Sequence, residues 1–280
     1  MNAPHLTKSE LSFFEQQLRQ QECSAATVEK YLHDTRQFAR WLNKRPVTPQ
    51  STTEWKDSLL QAGYAPSTVN GKIAAINALF RMLKWDDCKV RALRLQRRAF
   101  REDAKELSRQ EYQKLVHTAQ ASGKTRLAIL LEAIGSTGIR VSELRYFTVE
   151  AARQGFAQIS LKGKIRTILL PGKLCRKLLK YAKKQKITSG EIFLTRSGKS
   201  LSRKQIWAEM KRLCRLAGVA AGKVFPHNLR HLFARSFYHS THDVVKLADL
   251  LGHSSLTTTR IYLISTGAEH RRELEKLGLV

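Results

Sequence analysis

The chain has 280 residues, of which 42% are hydrophobic and 26% are charged, proportions typical of folded proteins and not of disordered ones. Fifty Lys and Arg residues outnumber 23 Asp and Glu residues, and the resulting formal net charge of +27 favours a polyanionic partner, nucleic acid first of all. Four widely separated cysteines argue against a disulfide framework and a cysteine zinc site, and no apolar run is long enough to cross a membrane.

Binding to a membrane surface would require a strongly amphipathic basic helix or a lipidation signal, and we find neither in the sequence. The polar N-terminus also lacks the hydrophobic segment of a secretion signal. We therefore expect a cytoplasmic protein with no membrane partner.

Residues 1–87 predict a domain of four short helices. Thr7-Lys-Ser-Glu10 forms a capping-box pattern ahead of the first helix, and Ser24 can cap the second. Pro46 and Pro49 are expected to end that second helix. A third helix runs through Trp55, and a fourth begins near Pro66, since proline is favoured in a first helical turn. Helices of this length predict a small bundle.

Residues 88–105 are dense in arginine and weakly periodic, so we interpret them as a basic linker lying along a polyanion, with a solvated helix end as the alternative.

A second domain, 106–280, opens at the capping box Ser108-Arg-Gln-Glu111. An apolar helix follows and is expected to stop at Gly135, and a new helix begins after Gly138. Two β-rich runs, 156–161 and 165–170, flank a short turn and predict a hairpin, to which residues 191–195 could add a third strand. Helices are then predicted near 202–216, 227–239, 243–251, 256–262 and 267–277. The fold class is therefore mainly α with a small antiparallel β-sheet.

Five stretches of the second domain contain the residues with chemical potential. They are Thr137-Gly-Ile-Arg140-Val-Ser-Glu-Leu144, Leu161-Lys162-Gly-Lys164, Pro226-His227-Asn-Leu-Arg230-His231, Leu251-Gly-His253-Ser-Ser and Thr257-Thr-Thr-Arg-Ile-Tyr262. In order and spacing they resemble the active-site motifs of the tyrosine recombinase (integrase) family, in its compact Xer-like form. Any one stretch alone would be weak evidence, but five in the family order are a specific signal.

The resemblance implies a function as well as an architecture. It implies an N-terminal four-helix core-binding domain (1–87) that clamps DNA, the linker (88–105), and a C-terminal α+β catalytic domain of the DNA breaking-rejoining type (106–280). It further implies a site-specific recombinase that works through a 3′-phosphotyrosyl intermediate and a Holliday junction, without metal, ATP or another cofactor. Tyr262 would be the nucleophile and Lys162 the general acid for the leaving 5′ oxygen.

The chemistry of the side chains gives the same set independent sense. A guanidinium presents a rigid fork of donors that matches phosphate oxygens, which suits Arg140 and Arg230 to neutralising the reacting phosphate. His227 and His253 can donate hydrogen bonds to those oxygens or help to deprotonate Tyr262. Taken singly, each residue has an ordinary structural explanation, and the joint pattern favours catalysis.

Several alternatives stay open at this point. Lys164 could replace Lys162 as the general acid, because both flank Gly163 in the hairpin turn. His227 and His231 have a spacing that can bind metal, but the pair contains no Glu and has no evident third ligand. A type IB topoisomerase, or a DNA-binding protein without catalytic activity, could carry similar residues.

The expected partner is double-stranded DNA with two inverted half-sites, bound by a homodimer on one site and a homotetramer in the synapse. No small-molecule ligand is expected. Residues 267–280 would form an exchange helix that docks on a neighbouring protomer, as the resemblance implies. The sequence leaves the DNA target and the biological task open; dimer resolution, integration and excision of a mobile element, and inversion would all use this chemistry.

Overall fold

The computed structural model describes residues 3–95, 106–161, 164–253, 255–262, 271 and 274–279. The chain divides into two compact units, Met1–Arg97 and Arg98–Val280. The predicted fold class is confirmed, since both units are built mainly from helices and a small antiparallel sheet lies in the second. No helix in the described part of the chain is both long and apolar enough to span a membrane.

Over residues 3–95, the first unit consists of four α-helices and a short 3-10 helix. The helices are α1 (Lys8–Gln20), α2 (Ala25–Leu42), α3 (Pro49–Gln61) and α4 (Pro66–Leu83), and the 3-10 helix is Asp86–Cys88. The capping box at Thr7 and the Ser24 cap are confirmed, as is the start of α4 at Pro66. The core centres on three aromatic rings, with the centroid of Phe38 4.9 Å from that of Trp55 and 5.9 Å from that of Phe80.

Two expectations about this unit need correction. Helix α2 ends at Leu42, where Asn43 adopts a left-handed conformation, and Pro49 occupies the first turn of α3 instead of closing α2. The start of the predicted linker is bound to α4, because the Asn70 and Asn77 side-chain amides each form a pair of hydrogen bonds with the backbone of Leu93 and Val90, respectively. The rest of that linker, residues 96–105, lies outside the described residues.

The second unit begins with α5 (Arg109–Ala121), capped by Ser108 as predicted, and α6 (Thr125–Thr137). A 3-10 helix (Val141–Tyr146) and α7 (Val149–Gln154) lead into strands β1 (Phe156–Leu161) and β2 (Lys164–Leu169). The helices α8 (Gly172–Lys184), α9 (Arg203–Ala217), α10 (Pro226–Thr241), α11 (Val244–Leu251) and α12 (Leu256–Arg260) follow, with a 3-10 turn at Ala221–Lys223. The predicted helix 267–277 falls mostly outside the described residues.

Helix α6 runs three residues beyond the predicted stop. Gly135 is helical, and its missing side chain leaves room for Tyr112, whose hydroxyl would lie 2.7 Å from a Cβ at that position. The helix ends instead at Gly138, which has a φ of +64° and stands against the ring of Phe233. This left-handed turn sets the direction in which the chain leaves α6 toward Arg140.

The sheet has two strands in the described part of the chain, paired antiparallel with Phe156 opposite Leu169 and Leu161 opposite Lys164. The hairpin prediction is confirmed, and the suggested third strand is wrong. Residues 191–194 form only isolated bridges, Glu191 to Thr148 and Leu194 to Ser200, because Ile192 bonds to the backbone of Phe147 instead of to a neighbouring strand.

Helix α8 is absent from the sequence prediction. Its apolar side chains Leu174, Cys175, Leu178 and Ala182 are buried, while the opposite side is basic. The expectation that the chain lacks a strongly amphipathic basic helix is therefore wrong. The apolar face of α8 packs inside the protein against α6 and α7, so it is not free to enter a membrane.

The described residues of the second unit form two separate groups of buried side chains. The larger surrounds α6, whose residues are buried on nearly every side. The smaller comprises Ala234, Leu247, Leu251 and Tyr262, with partly buried aromatic rings of α10 around it. The segment that ends in Tyr262 thus rests on a core of its own, next to helix α10.

Candidate active site

Arg140 immediately precedes the 3-10 helix Val141–Tyr146 that follows α6. Glu143 holds both the backbone and the side chain of Arg140 in place. The Glu143 carboxylate accepts hydrogen bonds from the Arg140 backbone N–H at 2.7 Å and from its guanidinium Nη1 at 3.1 Å. Glu143 is 2% exposed, whereas 44% of the Arg140 side chain is open to solvent. The buried Glu143 therefore fixes the inner side of Arg140, and the remaining guanidinium N–H groups face the surface.

A second arginine, Arg166 on β2, shares the Glu143 carboxylate. Its Nη2 lies 2.5 Å from Glu143 Oε2, and its Nη1 donates to the carbonyl of Leu250 at 3.2 Å. Gly252 makes room for it, since a Cβ there would lie 2.5 Å from Arg166 Cδ. Arg166 thus joins the hairpin, the Arg140 helix and the turn after α11, and the glycine of the Leu-Gly-His stretch is required for that contact.

Arg230 extends from α10 into the centre of the site and is 3% exposed. Its Nη1 donates to the carbonyl of Gly138 at 2.6 Å, and its Nη2 donates to the carbonyl of Leu251 at 2.8 Å and to His253 Nε2 at 2.9 Å. Its Nε donates to the Tyr262 hydroxyl at 3.3 Å. Burial lowers the pKa of Arg230 from its ordinary value, but an arginine remains charged in a protein.

Tyr262 lies two residues beyond α12 and is 4% exposed. Its ring meets that of His231 edge-on, with centroids 4.5 Å apart, and is nearly parallel to that of His253 at 5.7 Å. Its backbone N–H donates to the carbonyl of Thr259 at 3.0 Å. The rings of His231 and His253 and the guanidinium of Arg230 thus orient the phenol, and its hydroxyl points at Arg230.

The hydrogen bonds of His253 define its tautomer. Nε2 faces Arg230, which can only donate, so Nε2 is the acceptor and the ring proton resides on Nδ1. Nδ1 then donates to Thr259 Oγ1 at 2.9 Å. Burial, together with the positive charges of Arg230, Arg140 and Arg166, lowers the pKa of His253 to about 4. The ring is therefore neutral at physiological pH.

His227 and His231 occupy successive turns of α10, with their Nε2 atoms 3.0 Å apart. One ring donates to the other, and this arrangement requires at least one neutral ring. Burial, and then the charge of Arg230, lower the pKa of His227. Across the described ranges, no group of three His, Cys, Asp or Glu side chains is arranged to hold a metal ion.

These residues line one cleft with a volume of about 560 Å³. Arg140, Arg230, His227, His253 and Tyr262 all contribute to its wall. Of the four charged groups in the network, three are arginines and one is Glu143. The net positive charge in a partly enclosed space favours an anion, and the guanidinium geometry favours a phosphate.

The structure brings together five of the six residues singled out from the sequence. The sixth, Lys162, lies outside the described residues, and its alternative Lys164 is the first residue of β2. Sequence reasoning gave no role to Arg166 or Thr259, and it considered His231 only as a possible metal ligand beside His227. The available signal for Arg166 was its position inside a β-rich run, between Ile165 and Ile168. A charged residue in such a strand rarely becomes buried without a partner of opposite charge.

The model of the phage integrase family matches residues 105–269, and the model of the phage integrase N-terminal SAM-like domain matches residues 11–87. The tyrosine recombinase XerA of Pyrococcus furiosus is 30% identical over 242 residues, which cover 83% of this chain and 82% of the relative.

Solved structures share the fold. A lambda integrase tetramer bound to a Holliday junction matches with a TM-score of 0.74 at 19% identity, covering 93% of this chain and 78% of that one. A lambda integrase dimer bound to a COC′ core site also has a TM-score of 0.74 at 19% identity, covering 92% and 95%.

Proposed function

The chain belongs to the phage integrase family, the tyrosine recombinases, and on that premise we propose that Tyr262 is the nucleophile with which it cuts and rejoins DNA. The protein is a site-specific DNA recombinase. The observation that carries the proposal is the 3.3 Å hydrogen bond between Arg230 and the Tyr262 hydroxyl, inside a cleft whose charges favour a phosphate.

In the proposed cleavage step, the Tyr262 oxygen attacks the phosphorus of a DNA phosphodiester and the bond to the 5′ oxygen breaks. Arg140 and Arg230 bind the non-bridging oxygens and stabilise the charge that develops on them. His227 takes the phenolic proton or donates to a phosphate oxygen, as its neutral ring permits, and His253 supports Arg230. The product is a 3′-phosphotyrosyl link, which preserves the energy of the phosphodiester so that rejoining needs neither metal nor ATP.

The leaving 5′ oxygen requires a proton, and we assign that proton to Lys162. Strand β1 ends at Leu161 and strand β2 begins at Lys164, and Lys162 is one of the two residues between them in the sequence. A lysine in a turn combines a mobile stem with a donor that can enter a DNA groove. Lys164, on the other side of Gly163, is the competing assignment.

Tyr262→Phe tests the nucleophile, because it keeps the ring packing and removes only the reacting oxygen. A nicked suicide substrate built from the recombination site should form a covalent adduct with the wild-type protein and none with the variant, while both bind DNA with similar affinity. That site should be sought as a pair of inverted repeats in the DNA that flanks the gene. Covalent adduct at the wild-type level from the Phe variant would overturn the assignment.

The assembly proposal rests on the solved relatives, which include a dimer on a core site and a tetramer on a Holliday junction. We propose a homodimer on two inverted half-sites and a homotetramer in the synapse, with residues 1–87 as the DNA-clamping domain and 88–105 as the linker. Leu274, Leu277 and Leu279 are largely exposed, which suits the docking of segment 267–280 on a neighbouring protomer. We place the protein in the cytoplasm, at the nucleoid, where its DNA substrate lies.

A further inference from the structure

Helix α8 has a continuous basic face that the catalytic proposal does not use. At about 100° per residue, its six cationic side chains fall within an arc of about 120°, directly opposite the buried apolar side chains. All six are exposed: Lys173, Arg176, Lys177, Lys180, Lys183 and Lys184.

The charge of this face is almost uncompensated. Lys177 forms an ion pair with Glu132 at 2.5 Å, and the other five form no ion pair with any described residue. The sequence contains no Asp or Glu between Glu150 and Glu191. Like charges three and four residues apart destabilise a helix, so an anionic partner would relieve a repulsion that is present in the free protein.

The helix dipole does not account for the pattern. Cations near the C-terminus of a helix are stabilised by the dipole, which suits Lys183 and Lys184. Lys173 and Arg176 lie in the first turns, at the positive end, where a cation is unfavourable. The basic face therefore extends along the whole helix, including the N-terminal end where the helix dipole disfavours cations.

The face is also separate from the catalytic cleft. None of the residues that line the cleft belongs to α8. Because the apolar side of the helix is buried against α6 and α7, charge is what it offers a partner. A protein partner would normally find aromatic or apolar anchors at the centre of an interface, and this face has none.

From these observations we propose that the basic face of α8 is a second DNA-binding surface, which grips the phosphate backbone of a duplex other than the one in the cleft. From Lys173 to Lys184 the helix advances about 17 Å, a length of duplex axis over which one DNA strand presents about five phosphates. Five cations that form no ion pair with any described residue thus face DNA with a comparable number of charges. The surface does not depend on the chemistry of Tyr262, so either proposal can fail without the other.

A bridging assay with the full-length protein tests this surface. One random-sequence duplex is fixed to beads, the protein is added, and capture of a second, fluorescent random-sequence duplex is measured; random sequence prevents synapsis of recombination sites from contributing. The neutralised variant K173Q/R176Q/K180Q/K183Q/K184Q retains Lys177 with its Glu132 partner. The matched control K173R/R176K/K180R/K183R/K184R retains every charge. Glutamine, lysine and arginine form helices about equally well, and all five positions are exposed, so both variants should fold.

The wild type and the charge-retaining control should capture the second duplex, and the neutralised variant should lose about tenfold or more of that capture. Binding of the first duplex should keep its salt dependence in all three proteins. Equal capture by the neutralised variant would overturn the proposal. A log–log salt slope for the first duplex that became shallower by about 4 would also overturn it, because α8 would then belong to the primary DNA footprint. The proposal would also be overturned if the wild type bound phosphatidylserine vesicles more tightly than duplex DNA and the neutralised variant did not bind the vesicles.

Discussion

The contact between Gly252 and Arg166 provides the sharpest test of how the site is held together. Gly252→Ala places a Cβ 2.5 Å from Arg166 Cδ and 2.6 Å from its Nη1, at a φ of +63°. The left-handed backbone costs an alanine about 1–2 kcal/mol. Displacing Arg166 from Glu143 separates an ion pair whose side chains are 15% and 3% exposed. Because Glu143 keeps its ion pair with Arg140, this loss costs at most the roughly 3–5 kcal/mol of a buried charge left alone. The full change should therefore destabilise the second unit by more than the backbone contribution and by at most about 7 kcal/mol.

Gly218→Ala is the matched control. Gly218 also ends a helix with positive φ, at +58°, but a Cβ there meets only the end of the Lys114 side chain, at 3.5 Å. It should cost about 1–2 kcal/mol, the backbone contribution alone. In an Arg166→Ala background, Gly252→Ala should likewise cost only that amount, since the obstructing side chain is gone.

Native-state hydrogen exchange at amides of α6 and α10 measures these free energies for the second unit alone, which matters because two units need not unfold together. The reasoning is refuted if Gly252→Ala costs the same in the wild-type and Arg166→Ala backgrounds. An equal cost for Gly252→Ala and Gly218→Ala would refute it as well.

Three further predictions concern pH, the general acid and the tail. Because the pKa of His253 falls from 6.5 to about 4 on folding, its contribution to stability is complete above about pH 6.5 and is lost as the pH falls toward 4; urea midpoints measured across this range should fall less steeply for His253→Gln than for the wild type, and parallel curves would contradict the shift. Lys162→Ala should slow cleavage far more than Lys164→Ala, and a 5′-phosphorothiolate substrate, whose sulfur leaves without a proton, should restore the rate; rescue of Lys164→Ala instead would exchange the two roles. Deleting residues 267–280 should spare folding and binding to a single site, as judged by circular dichroism and gel shift, and should abolish cooperative binding and recombination; recombination at the full rate would exclude the docking of the tail.

Local features of this chain were predictable from short stretches of sequence. The capping boxes at Thr7 and Ser108 each depend on four consecutive residues, and both form as expected. The hairpin follows from two β-rich runs and a glycine turn, and its strands agree with the prediction to within one residue. The five motif stretches were located because their residue types and order are themselves the signal.

Features that depend on distant parts of the chain were not predictable in the same way. Arg166 acquires its role from Glu143, 23 residues earlier, and from the Leu250 carbonyl, 84 residues later. Thr259 becomes important only because the turn after α11 brings His253 next to it. Gly135 was predicted to end a helix, but in the structure it lies within α6 and the Tyr112 ring occupies the space beside it. Helix α8 was not predicted for a different reason. Its sequence is rich in lysine, and only four buried residues define the apolar face with helical spacing.

The small separate core beneath Tyr262 has a consequence for how this enzyme responds to temperature. Ala234, Leu247, Leu251 and Tyr262 bury much less apolar surface than the large core around α6, and a small core opens at a lower free energy than a large one. On warming, we expect the segment that contains the proposed nucleophile to detach before the rest of the second unit unfolds. Activity should then be lost below the melting temperature of the second unit and return on cooling.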